Sequence, residues 1–187
     1  QEWKTKRKTM HHYDHLAPFY DVQYQEEQKA KIEAALNNTK LNQNDLILDL
    51  GCGTGLLFQH IAKSTKLVVG IDISLKILQE AKKRTKQLPN AAVLCADADY
   101  TPFQNQTFDQ VFAITLLQNM PNPLKTLVEI KRVAKPQSTI IVTGLEKKFT
   151  QEHFINLLNK SGLKISTLKT NSQLKEYIVL CKNKENT

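Results

Sequence analysis

Leu46-Ile47-Leu48-Asp49-Leu50-Gly51-Cys52-Gly53-Thr54-Gly55-Leu56 is the stretch on which the fold turns. Leu46–Leu50 is a short apolar run broken only by Asp49, the pattern of a buried strand. The glycines after it permit positive φ and leave space for a ligand to lie against the backbone. From Leu56 to Lys63 the pattern turns helical. Strand, glycine turn and helix together open a nucleotide-binding βαβ unit. The next strand, Leu67–Ile71, runs into Asp72, which stands 21 residues after Gly51. A carboxylate at that place accepts bonds from both hydroxyls of a ribose.

The alternation continues downstream. Ser74–Lys86 reads as a helix with Ser74 as its N-cap, and Ala92–Cys95 and Phe108–Thr115 read as strands. A further helix starts at Asn122 as N-cap with Pro123 in its first position, and Leu124, Leu127, Val128 and Ile130 share one face. Ser138–Thr143 is a strand, and Thr150–Lys160 a helix ended by Ser161-Gly162. Lys164–Leu168 and Tyr177–Cys181 are strands with no helix between them, hence an antiparallel hairpin at one edge. The expected fold class is α/β: a Rossmann-like doubly wound sheet of about seven strands, mostly parallel, with helices on both faces. Residues 1–44 are polar and helical around Gln25 to Leu36. They are expected to form a helical lid facing the substrate, with residues 45–183 as the folded ligand-binding unit. Lys182 to Thr187 reads as a disordered polar tail.

At 187 residues the chain has the length of one domain. No apolar run approaches the roughly 18 residues of a membrane span, and the basic N-terminus leads into no apolar signal segment. Cys52, Cys95 and Cys181 are an odd, scattered set without a CxxC pair, which points to reduced thiols in a cytoplasmic protein and away from a zinc site. The net charge of +8 favours anionic partners. The basic residues are spread along the chain, however, so both the N-terminal group (Lys4, Lys6, Arg7, Lys8) and the helix group (Lys76, Lys82, Lys83, Arg84, Lys86) read as solvated surface.

The glycine loop distinguishes between two kinds of ligand. A dinucleotide fingerprint runs GxGxxG, and its third glycine lets the helix pack closely beside a pyrophosphate. Here the glycines run GxGxG, and Leu56 stands where that third glycine belongs. Asp49, two residues before the first glycine, would repel a pyrophosphate and suits an amino group. The ligand expected is cationic at one end and a nucleoside at the other, as S-adenosylmethionine is.

Residues 45 to about 143 resemble the class I S-adenosylmethionine-dependent methyltransferases, within the group that holds quinone-biosynthesis C-methyltransferases and many small-molecule and tRNA methyltransferases. Asp49-Leu50-Gly51-Cys52-Gly53-Thr54-Gly55 is similar to that family's first motif. The resemblance makes Asp72 the ribose-binding acid, with Ile73 over the adenine. It makes Asp97 and Ala98 the pair that reads the adenine edge. Phe108-Asp109-Gln110-Val111 resembles the start of the fourth strand. Lys131-Arg132-Val133-Ala134-Lys135-Pro136 resembles an RVLKPGG run in which Gln137-Ser138 replaces the glycines, a change confined to a turn. Tyr13-Asp14-His15-Leu16-Ala17-Pro18-Phe19-Tyr20-Asp21 resembles a YDxxAxxYD segment whose tyrosines close over the methionine end of the cofactor. Thr115 and Leu116 resemble residues beside the sulfonium.

The resemblance implies S-adenosylmethionine as cofactor, S-adenosylhomocysteine as product, and a small-molecule or RNA acceptor. No catalytic residue stands out. His15 and Gln118 are the weak candidates, with Asn119 and Asp14 near the expected acceptor position. Cys52 reads as a small residue filling a tight turn and not as a nucleophile. His11, His12 and His15 have no carboxylate or cysteine at zinc-ligand spacing, so no metal is expected. Two alternatives remain beside an active methyltransferase. One is a cofactor-binding module that is inactive alone and needs a partner subunit, such as the small activator proteins some similar enzymes use. The other is a nicotinamide-dependent oxidoreductase, which Leu56 and the Asp97-Ala98 pair disfavour.

Overall fold

A computed structural model describes residues 1–37 and 39–183. Its centre is β1 (Leu46–Leu50), with Ile47, Leu48 and Leu50 fully buried. Side chains alternate across a strand, so Leu48 and Leu50 enter one core and Ile47 enters the other. β2 (Leu67–Asp72) and β4 (Phe108–Ala113) flank β1 in parallel. β3 (Ala91–Cys95) extends the sheet beyond β2, and β5 (Ala134–Leu145) extends it beyond β4. β7 (Glu176–Asn183) then pairs antiparallel with both β5 and β6 (Leu163–Asn171). The seven strands lie in the order β3-β2-β1-β4-β5-β7-β6, the mostly parallel sheet with an antiparallel C-terminal hairpin expected from the sequence.

Helices cover both faces. α2 (Tyr20–Leu36), α3 (Leu56–Ile61) and α4 (Leu75–Thr85) supply Ile32, Phe58 and Ala81 to one core. α5 (Pro123–Val133) and α6 (Gln151–Lys160) supply Leu127, Ile130, Phe154 and Leu158 to the other. The caps read from the sequence are formed. Ser74 Oγ accepts from the Ile77 N–H and Asn122 Oδ1 from the Lys125 N–H. Thr150, read as the first residue of its helix, is also a cap, its Oγ1 accepting from the His153 N–H; each cap satisfies an otherwise orphaned donor.

Four expectations need correction. A helix α1 (Glu2–Leu16) precedes α2, so helix in the expected helical segment 1–44 begins well before Gln25, where the local pattern first marked it. The segment expected to be helical through Lys63 ends as α3 at Ile61 and passes into a 3₁₀ turn, Ala62–Ser64. Lys182 and Asn183 belong to β7, and the Asn183 amide donates to the carbonyls of Lys131, Ala134 and Lys135. The rest of the expected tail, 184–187, lies outside the described residues. Finally, two of the basic residues read as surface are not. Lys6 is buried, and Arg84 is tied to Asp21 and to the Thr54 carbonyl. Among the described residues no helix is long and apolar enough to cross a membrane.

Candidate active site

β1, β2, β3 and β4 point their C-terminal ends into one cavity, the crevice position in which open α/β sheets bind ligands. Asp49, Gly51, Cys52 and Gly53 line it from the end of β1. Asp72 and Ile73 do so from the end of β2, Asp97 and Ala98 from beyond β3, and Thr115 from beyond β4. Tyr13 on α1 and Tyr20 on α2 line it from above. Eleven positions spread from 13 to 115 in the sequence therefore meet on one surface.

Backbone geometry shapes the floor. Gly51 has φ +76°, and a Cβ there would fall 2.9 Å from Leu116 Cδ1. Gly53 also has positive φ, but a Cβ there would meet nothing within 4 Å, because its open side is the cavity itself. The Asp72 carboxylate fixes this loop by accepting from the Gly53 N–H at 3.1 Å and the Ser74 N–H at 3.0 Å. Cys52 is buried, and burial pushes its thiol well up, which fits a packing role and not a thiolate. Thr115 has φ +59°, an uncommon conformation for a β-branched residue. The Thr143 hydroxyl accepts its N–H at 2.8 Å. Strain of this kind concentrates at functional sites.

The charges are arranged unequally. Asp49 is 4% exposed, and among the described residues no cation pairs with it. Burial first, and the neighbouring Asp72 second, push its pKa to about 8. Burial also raises Asp72, against the lowering effect of its amide donors. A cavity with an unneutralised buried acid at one end and a loop-bound carboxylate beside it can hold a ligand bearing an ammonium group and vicinal hydroxyls. Burial raises Tyr13 and Tyr20 above the ordinary phenol range, so both hydroxyls stay protonated.

The weak catalytic candidates lie elsewhere. His15 is exposed outside the cavity lining, its ring Nδ1 donating to the His11 carbonyl at 2.7 Å. Gln118 sits in the 3₁₀ turn Leu117–Asn119 behind the lining, its Oε1 buried without a hydrogen-bond partner. Its neighbour Asn119 does reach the cavity and donates to the Tyr13 hydroxyl at 3.0 Å. Asp14 accepts from Ser74 Oγ at 2.5 Å and so joins α1 to the start of α4. Sequence reasoning missed Lys6, Gln28 and the Asp21 clasp, in which Asp21 accepts from both Thr54 Oγ1 and Arg84. Asp21 lay inside a quoted motif. Lys6 carried no signal, being one base among several.

A family model described as a methyltransferase domain matches residues 48–142, about half of the chain. A malonyl-[acyl-carrier protein] O-methyltransferase from Marinomonas sp. is 33% identical over 144 residues, 76% of this chain and 53% of the relative. The chain belongs to the methyltransferase family. It spans about half the length of the curated relatives it matches. Among solved structures, this methyltransferase is similar to the putative methyltransferase in a complex with the Haloferax volcanii Trm112 methyltransferase activator. The TM-score is 0.86 at 16% identity, over 92% of this chain and 98% of that one. It is also similar to an S-adenosylmethionine-dependent methyltransferase from Aquifex aeolicus, with a TM-score of 0.72 at 20% identity over 85% and 97% of the two chains. At these identities the structural likeness establishes the fold.

Proposed function

We propose that this methyltransferase moves a methyl group from S-adenosylmethionine to a small-molecule acceptor that enters beneath α1 and α2. The observation that carries the reading is the single cavity joining Asp49, Asp72 and Asp97. Asp72 takes the ribose hydroxyls, and Ile73 packs beside the adenine. The Asp97 carboxylate takes the exocyclic amine, and the Ala98 amide meets a ring nitrogen. Asp49 and the Gly51–Gly53 loop hold the amino-acid end, and Tyr13 and Tyr20 close over it. When bound, the cofactor supplies a methyl group already activated by the sulfonium charge. What remains for the chain is alignment and exclusion of water. Gln28 and Thr115, whose polar atoms lie 3.5 Å apart, border the acceptor end. An acceptor there is held by hydrogen bonds and brings its own nucleophilic atom.

The interior favours a small acceptor over RNA. Lys6 is the one Lys or Arg among the described lining residues, and two carboxylates occupy its ammonium. No lining cation remains to neutralise a phosphate. A second reading, activity only with a partner subunit, draws support from the likeness to a methyltransferase solved with an activator. The experiment is transfer from methyl-tritiated S-adenosylmethionine to a small-molecule extract and to total tRNA at two salt concentrations. Salt-insensitive labelling of the extract alone is expected. Labelling of tRNA alone, with log affinity falling by about 0.7–0.9 per phosphate contact against log salt, would overturn the small-molecule reading. Labelling of neither, with the cofactor still bound, would favour the partner reading.

A further inference from the structure

Lys6 is 5% exposed, although it comes from a helix whose Lys4, Arg7 and Lys8 are all in solvent. Its Nζ lies 2.7 and 2.8 Å from the two oxygens of Asp97 and 2.5 Å from Oδ2 of Asp99. An ammonium has three N–H donors, so all three are engaged and none is left for a ligand. Asp99 is completely buried. Its Oδ1 accepts from Thr126 Oγ1 at 2.6 Å, and its own N–H donates to Asp97 Oδ1 at 3.0 Å. Burial works against a charged Lys6, but the bonds to Asp97 and Asp99 outweigh it and hold the ammonium above the ordinary lysine range. Two carboxylates this close inside the protein repel each other, and removing their shared cation leaves charge buried and uncompensated.

This cluster lies at one end of the cavity, and α1 brings the cation across 91 residues of sequence. The same helix carries Tyr13 over the cavity and ties Glu2 to Lys125 at 3.2 Å. Docking α1 is therefore what delivers Lys6 to Asp97. The Asp97 side chain remains 20% exposed. Its Oδ1 accepts from both Lys6 and the Asp99 N–H, while Oδ2 accepts from Lys6 and keeps a second lone pair for a ligand.

We propose that Lys6 is a positioning residue for the cofactor's adenine: it fixes the Asp97 carboxylate toward the cavity and so couples recognition of the base to docking of α1. The inference rests on the reading of Asp97 as the adenine contact. Lys6 acts through Asp97 and does not touch the base. A carboxylate held in this orientation accepts from an exocyclic amine and repels the carbonyl oxygen of a hypoxanthine in the same place.

The test measures affinities of S-adenosylhomocysteine and S-inosylhomocysteine for the wild-type protein, Lys6→Met, Asp97→Asn and the double variant. The wild type is expected to prefer the adenosyl ligand by about tenfold or more, the value of a charge-assisted bond set against a repulsive one. Lys6→Met should lose most of that preference, and in the Asp97→Asn background it should remove no more, the non-additivity of residues acting as one unit. The ratio of two affinities is read on folded, ligand-bound protein, so a loss of stability does not imitate this result. If Lys6→Met weakens both ligands equally and keeps the wild-type preference, Lys6 is only a tie for α1 and the proposal falls. If the wild type binds both ligands equally, the reading of Asp97 fails instead, and the proposal fails with it.

Discussion

Asp49, buried, and Asp72, half-buried, are acids on neighbouring strands, and the protein treats them differently. Asp72 is bonded by the amides of Gly53 and Ser74. Burial and the neighbouring Asp72 push Asp49, which has no cation beside it among the described residues, up to about 8 from an ordinary 3.8, so at neutral pH it holds a proton. An acid whose folded pKa is raised binds more protons in the native state than in the unfolded one. Its presence therefore lowers stability as pH rises, by about 1.4 kcal/mol per unit between the two values. Asp49→Asn removes that dependence. Calorimetric unfolding of the cofactor-free protein should show the variant matching wild type near pH 4 and exceeding it progressively toward pH 8, while its affinity for S-adenosylmethionine falls. Parallel pH profiles for the two proteins would mean that Asp49 is not a protonated buried acid. The position trades stability for a carboxyl whose ionised form a ligand's ammonium would favour.

At the scale of elements, α1 and β5 show where local pattern and tertiary context part company. The inward face of α1 carries Lys6, Thr9, Tyr13 and Leu16, so its buried stripe is half polar and does not read as amphipathic. The helix becomes intelligible only when Asp97 and Asp99 are placed opposite it. In β5, regular pairing with β4 begins at Thr139, after a break in register that follows Ala134, and this is why the sequence pattern indicated a strand only from Ser138. Inside the break, Gln137 has φ +62°, at the place where the resembled run has a glycine. A non-glycine residue in that region costs about 1–2 kcal/mol, offset partly by the chain entropy that glycine adds to the unfolded state. Gln137→Gly should therefore raise stability in urea denaturation by about 0.5–1 kcal/mol with unchanged cofactor affinity. A loss of stability would show that the Gln137 side chain contributes more than its backbone costs.

Across the whole molecule, the strand order explains why the cavity lies where it does. From β1 the chain proceeds outward through β2 and β3, then returns to the other side of β1 for β4 and β5. The loops leaving β1 and β4 diverge, and a crevice opens at this switch point. α2 roofs it and is anchored far away, at the opposite end of the sequence. Lys31, 2% exposed, pairs with Glu27 at 2.7 Å and with Glu176 of β7 at 2.9 Å. Burial raises the Glu176 carboxyl, and Lys31 offsets only part of that rise. Breaking a buried pair from one side costs about 3–5 kcal/mol, whereas replacing both partners with apolar residues costs far less. Lys31→Met should destabilise by that amount in denaturant unfolding, and adding Glu176→Leu should recover most of it. An unchanged deficit in the double variant would show that the ion pair itself, and not the stranded carboxylate, carries the stability.

The mostly parallel sheet, its antiparallel C-terminal hairpin and the floor of the cavity were legible in the sequence, whereas the strand order came from the structure. The legible parts depend on local signals: alternating apolar runs, caps at Ser74 and Asn122, and glycines whose φ no other residue adopts cheaply. Asp49 and Asp72 were legible because each stands at the C-terminal end of a strand, and Asp97 through its resemblance to a family motif; parallel strands bring these ends to one edge of the sheet. The roof was decided by tertiary structure. The roles of Lys6, Asp21, Lys31 and Arg84 come from ion pairs or charged hydrogen bonds between residues tens of positions apart. A charged side chain carries no periodic mark that separates a buried partner from a solvated one. Only folding, by removing water from both members of a pair, makes that distinction.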